Sequence, residues 1–251
     1  MQQPYSNPVN PLAGSAAYSG ALDMPAVLRT VYLWLAIGLA VSFGVAFALD
    51  QQLNAALAGN VTPLGATLYN PITMIVALVA YLVVAFAFYP IVRRANPAVG
   101  AVLYLVFTAV FGFLLSAVLI RYDIGSIASS FGVTAGMFAV MSIIGYTTKA
   151  DLSRLGTILI MGLIGIIIAS VVNFFAHSTA LYWILTYATV VVFCGLIAYD
   201  TQWIRKQAVA LVKMDDEAAL ARVALVGAFK LFLDFINLFL AILRIMGRAR
   251  N

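Results

Sequence analysis

Seven long apolar runs divide the chain, over residues 28–49, 72–92, 98–120, 125–146, 155–175, 181–204 and 221–246. Each is long enough for a bilayer-spanning helix, which takes about 20 mostly apolar residues. The runs are continuously apolar and lack the alternation of a membrane β-barrel strand. Turn formers fill the breaks, as in Thr62-Pro63-Leu64-Gly65, Asn70-Pro71, Arg93-Arg94-Ala95-Asn96-Pro97 and Arg121-Tyr122-Asp123. The pattern predicts an all-α, polytopic membrane protein with seven transmembrane helices over residues 24–251. Residues 1–23 are rich in Pro, Gly, Ser and Ala and carry no Lys or Arg. They read as a disordered N-terminal tail, since a signal peptide opens on a basic region and soon becomes apolar.

Composition narrows the class further. Hydrophobic residues make up 64% of the 251 and charged residues 9%, against about 25% charged in a soluble domain. The mean hydropathy is +1.05. One cysteine, Cys194, lies inside an apolar run, so a disulfide scaffold is excluded and the thiol reads as a packing group. The net charge of +5 is small and scattered, which excludes nucleic acid as a partner.

The basic residues report topology. Arg93 and Arg94 follow span two, Lys149 and Arg154 follow span four, and Arg205, Lys206 and Lys213 follow span six. The intervening loops hold Arg121 and His177. Cytoplasmic loops favour Lys and Arg, so the N-terminus is expected in the cytoplasm. Seven crossings then put the C-terminus outside, although Arg248 and Arg250 at that end pull the other way. The short loops and the lack of an organelle signal fit a bacterial inner membrane. Trp183 and Trp203 read as interfacial anchors at the two ends of span six, and Gly162 and Gly165 as a close helix contact. His177 has no second ligand nearby, so a zinc site is not expected.

The seventh helix is expected to start at Asp215-Asp216-Glu217, because acidic residues suit a helix N-terminus. A run to Met246 spans about 48 Å at 1.5 Å per residue, more than the ~30 Å apolar core of a bilayer. Its first turns are therefore expected in the cytoplasmic interface.

Four charged residues fall in or near apolar spans: Asp200, Lys230, Asp234 and Arg244. A charge at mid-bilayer costs about 2.5–3.5 kcal/mol on insertion scales, so such groups face a partner, the bundle interior or water. Lys230, Asp234, Asn237 and Arg244 fall within about 80° of arc on one helix. This polar stripe means that span seven is central or faces a hydrophilic crevice. Asp200 and Asp234 come from antiparallel neighbours and are expected to approach each other. Two carboxylates in low dielectric do not both ionise cheaply, and the pair shares a proton. Deprotonated, it offers oxygen ligands to a hard cation such as Ca²⁺. Lys230 and Asp234 also stand four residues apart, the spacing at which opposite charges neutralise each other. Arg244 is placed to snorkel to the outer interface.

Tyr199-Asp200-Thr201-Gln202 and Leu233-Asp234-Phe235-Ile236-Asn237-Leu238-Phe239-Leu240, followed by Leu243-Arg244, resemble the signatures of the Bax inhibitor-1 family. The likeness is sharpest over residues 196–246. It implies a seven-helix fold with the last helix surrounded by the other six, and a self-contained monomer. It implies a pH-controlled calcium leak, with Asp200 and Asp234 as the sensor and ion-binding pair. It also implies a latch arginine at the cytoplasmic end of span two, a location that Arg93 and Arg94 both fit, with Arg94 favoured. Lys230 departs from the small polar residue common at that position. Its ammonium competes with a cation and favours ionised Asp234.

Two other functions fit parts of this pattern. Some bacterial relatives are linked to control of a membrane protease, which implies a regulatory protein without flux. Paired aspartates in adjacent spans also resemble an intramembrane aspartyl protease. The Gly-x-Gly-Asp sequence and downstream Pro-Ala-Leu of those enzymes are absent, and no proline follows Pro97. Walker, metal-cluster and nucleophile-elbow motifs are absent too, so no enzyme and no cofactor are expected.

Overall fold

The computed structural model describes residues 24–57, 70–212 and 217–248. The expected N-terminal tail, Thr62-Pro63-Leu64-Gly65, Lys213, Asp215, Asp216 and Arg250 lie outside these residues. The described chain forms α1 (Met24–Leu57), α2 (Pro71–Arg94), α3 (Pro97–Leu119), α4 (Ile124–Thr147), α5 (Ser153–Ala176), α6 (Thr179–Val212) and α7 (Glu217–Met246). All seven are long and apolar enough to cross a membrane. The protein is an all-α polytopic membrane protein.

The polar residues between runs are the caps that start the helices. Asn70 accepts from the Ile72 amide at 2.9 Å and Asn96 from the Ala98 amide at 3.0 Å. Asp123 takes the amides of Gly125 and Ser126. Each cap satisfies donors left over in a first helical turn. Pro71 and Pro97 fill the first helical position, where no amide is needed. His177 ends α5 in the left-handed conformation, φ 49°, a common helix stop.

α7 is the centre of the bundle. Its spanning window is 78% buried, against 11% for α2 and for α5. It packs on α1, α2, α3, α4 and α6. Its phenylalanines carry the contact. Phe229 stacks on Phe88 with centroids 4.0 Å apart, Phe232 meets Tyr104, Phe107 and Phe111 edge-on, and Phe235 and Phe239 reach Phe131. Offset and edge-to-face ring pairs add to the packing that joins helices in lipid, where no hydrophobic drive does so. The expected ring of six is open on one side, because α5 leans on α6 rather than on α7.

Two details differ from the sequence expectation. First, α6 does not stop at 204 but continues to Val212, so Arg205 and Lys206 are helical. Ala208 of this extension joins Val27 and Leu220 in a small apolar cluster of α1, α6 and α7. Second, Gly162 and Gly165 are not close-packing sites, since a side chain at Gly165 would meet nothing within 4 Å. Gly145 and Gly156 fill that role. A Cβ on Gly145 would strike the Ala198 backbone, and one on Gly156 the Tyr199 ring. As expected, α7 is long and apolar enough to cross a membrane. Its end docks on the α3–α4 turn, where Asp123 donates its amide to Arg248 O at 3.2 Å and Arg248 donates its own to Ser126 Oγ at 3.0 Å. The C-terminal end therefore lies on the face opposite the turn with Arg93 and Arg94.

Candidate functional site

Asp200 on α6 and Asp234 on α7 meet between the two helices. They are 5% and 4% exposed, and their carboxyl groups are near enough to interact. Two carboxyl groups this close in low dielectric do not both ionise cheaply. Asp234 Oδ2 is buried and has no hydrogen-bond partner. Such an orphaned acceptor is costly and uncommon in a packed interior.

Lys230 completes the cluster, and here the expected helix-spaced pair is corrected. Its Nζ donates to Asp200 Oδ1 at 2.5 Å, across to α6, rather than to Asp234. Two aromatic rings of α6 draw it there. Nζ lies 4.7 Å from the Trp203 ring centroid and 5.6 Å from that of Tyr199, both within cation–π range. Trp203 is therefore more than an interfacial anchor, since it covers the ammonium. The two carboxyl groups and the ammonium carry no net charge when the pair holds one proton. That is the least costly way to hold three ionisable groups in low dielectric.

α6 is fixed at this level from two sides. Gly145 and Gly156 let α4 and α5 close on Ala198 and Tyr199, next to Asp200. Below the pair, Gln202 clamps the α4–α5 turn, accepting from the Leu152 amide at 2.9 Å and donating to Ala150 O at 2.8 Å. Arg205 donates to the carbonyls of Tyr146 and Thr148, and Lys206 pairs with Asp151 at 2.6 Å. The roles of Tyr199, Gln202 and Trp203 went unread in the sequence. Their placement at i−1, i+2 and i+3 around Asp200 was the available signal.

The two latch candidates stand apart from the carboxyl pair. Arg93 is exposed, with its guanidinium 5.5 Å from the Tyr89 ring. It lines a cavity of about 400 Å³ together with Trp203 and Arg222. Arg94 is exposed at the end of α2. Among the described residues, the ion pairs are Lys230–Asp200 and Lys206–Asp151. In this structure the cationic partner of the pair is Lys230, and the expected arginine contact is not formed.

The rest of the polar stripe follows α7 away from the pair. Asn237 donates to Leu233 O within its own helix at 2.7 Å, and Arg244 is exposed. Both line a crevice between α5 and α7. Among the described residues no group of three or more His, Cys, Asp or Glu side chains forms a metal cluster. The expected ion ligands are two carboxyl groups, with Lys230 already on one of them.

The fold and this site define an integral membrane protein of seven helices, with an ionisable pair buried between the last two. The class narrows to one family. The profile described as "Inhibitor of apoptosis-promoting Bax1" matches residues 24–251, so this chain belongs to the Bax inhibitor-1 family. It is 40% identical over 243 residues to the Inner membrane protein YbhL of Escherichia coli, covering 96% of each chain. It is 38% identical to an uncharacterized protein of Borreliella burgdorferi over 89% of this chain and 92% of the other. A third relative, an uncharacterized protein of Deinococcus radiodurans, is 36% identical over 89% and 90%.

Proposed function

We propose that this chain is a pH-gated Ca²⁺ leak of a bacterial inner membrane, with its N-terminus in the cytoplasm. The observation that carries this reading is the buried approach of Asp200 to Asp234, held beside Lys230. With one shared proton the cluster is neutral and closed. Loss of that proton leaves one net negative charge inside the bundle, and a passing cation is the natural compensation. Gating needs an interaction that differs between two states, and the Lys230–Asp200 pair supplies it. An arginine of the α2 end, Arg94 or Arg93, takes that role in an alternative arrangement of the helices. The chain acts without chemical catalysis and as a monomer, its cargo being Ca²⁺ and its effector H⁺. The inner-membrane assignment draws on the name of the Escherichia coli relative. The orientation draws on the basic turns at the end with Arg93, Arg94, Lys149 and Arg154.

Ca²⁺ uptake into proteoliposomes across pH tests the proposal. Uptake should rise with pH for the parent and lose that dependence in Asp234→Asn and Asp200→Asn. An unchanged pH profile in both variants contradicts it. Lys230→Ser should raise uptake by freeing a carboxylate for the cation.

The ammonium on Asp200 also favours a second reading, a regulatory protein without flux that docks on a membrane protease. That reading predicts no uptake by the parent at any pH, no gain in Lys230→Ser, and copurification with the protease.

A further inference from the structure

The far end of α7 carries a second charged region that the carboxyl pair does not use. Arg121 at the end of α3 and Arg244 on α7 both line a crevice of about 600 Å³. Ser170, Asn173, Thr186 and Thr189 supply further polar lining. Both arginines are exposed, and among the described residues neither makes an ion pair. No carboxylate lines the crevice among the described residues. The nearest acid, Asp123, is occupied in capping α4 and faces Arg248.

This polar mouth continues into an apolar slot. A cavity of about 840 Å³ shares Ser170, Phe174, Thr189 and Arg244 with the first. Leu78, Leu163, Ile167, Phe193 and Leu240 form its walls. From Phe174 to Leu163 it follows three turns of α5, about 16 Å at 1.5 Å per residue. The slot exists because α5 leans on α6 and leaves α7 uncovered on that side. Two guanidiniums at the headgroup end above an aliphatic channel match the two halves of a phospholipid. Guanidinium forks bind phosphate in bidentate fashion.

We propose that this crevice binds one anionic phospholipid, its phosphate held by Arg121 and Arg244 and one acyl chain lying in the slot between α5 and α7. The lipid completes the wall that α5 leaves open and neutralises the two arginines. This assignment does not depend on Ca²⁺ conduction.

The test uses the full chain, purified in detergent and delipidated, with bound lipid counted by native mass spectrometry. Phosphatidylglycerol is the anionic probe, phosphatidylcholine the zwitterionic comparison and inorganic phosphate the headgroup-only probe. The parent should retain one phosphatidylglycerol in preference to phosphatidylcholine. Arg121→Gln with Arg244→Gln should weaken that retention about thirtyfold, the contribution of two basic side chains near a lipid headgroup. Ile167→Trp, which fills the slot, should expel the lipid and leave the arginines in place. Ile167 is 55% exposed and both arginines are surface groups, so the fold should survive, as circular dichroism will report. Equal retention by parent and double variant overturns the proposal, as does equal retention of the two lipids. Displacement by inorganic phosphate at equal concentration, or full retention in Ile167→Trp, reduces the site to an anion site and overturns the lipid assignment.

Discussion

The middle and the end of α7 solve the same problem in opposite ways. At its middle, Lys230 and Asp234 meet Asp200 in a closed cluster where the ammonium of Lys230 pairs with Asp200. Near its end, Arg244 stands with Arg121 in an open crevice without a carboxylate among the described lining. One helix thus carries a stripe that is compensated internally at its middle and left to its surroundings at its end. On the proposed readings, the closed cluster answers to a proton or a cation and the open crevice to an anion from outside. Aromatic packing of Phe235 and Phe239 on Phe131 lies between the two regimes.

The contrast breaks most easily by removing one cation from each region. Lys230→Met leaves a buried carboxyl pair without its ammonium. The expected loss is about 3 kcal/mol, the low end for a broken buried ion pair, since the Lys230 side chain is 33% exposed. Arg244→Gln at the open end should stay within about 0.5 kcal/mol, as surface substitutions do. Chemical unfolding in mixed micelles reads both, and equal losses would contradict the contrast. Gly145→Val sharpens it, because the new side chain meets the Ala198 backbone beside Asp200. A loss of about 1–3 kcal/mol is expected from such overpacking. At Gly165, where a side chain meets open space, Gly165→Val should cost nothing of that kind.

The smallest effect is expected at the surface pair. Hydrogen bonds from Lys206 and then from Ser153 hold the Asp151 carboxyl down to about 2, below its ordinary 3.8. Its folded value is lowered, so its stabilising contribution is full above pH 3.8 and fades as the pH falls towards 2. Asp151→Asn should therefore leave the pH profile of Ca²⁺ uptake between pH 5 and 8 unchanged. A shifted midpoint would move the sensor away from the helix pair.

Most of the fold was legible because lipid leaves so few options. Each apolar run became one helix, and Asn70, Asn96 and Asp123 capped three of them where the breaks were read. The approach of Asp200 and Asp234 was also legible, from two acids on antiparallel neighbours joined by a short loop. The partner of Lys230 was not. Spacing within one helix pointed to Asp234, and only the rings of Tyr199 and Trp203 on the next helix redirect it to Asp200. The extension of α6 to Val212 was hidden for a similar reason. Arg205 and Lys206 read as loop charges, yet their partners are the carbonyls and acid of the α4–α5 turn. The crevice was invisible in sequence, since it follows from the lean of α5.

The central claim is that Asp200 and Asp234 hold one proton between them inside the bundle. Infrared difference spectroscopy of the protein in lipid, titrated in pH, tests this directly. A single carboxylic C=O band that vanishes on alkalinisation, and that is missing in Asp200→Asn and in Asp234→Asn, is the predicted result. A parent without such a band, or variants that keep it unchanged, would contradict the account.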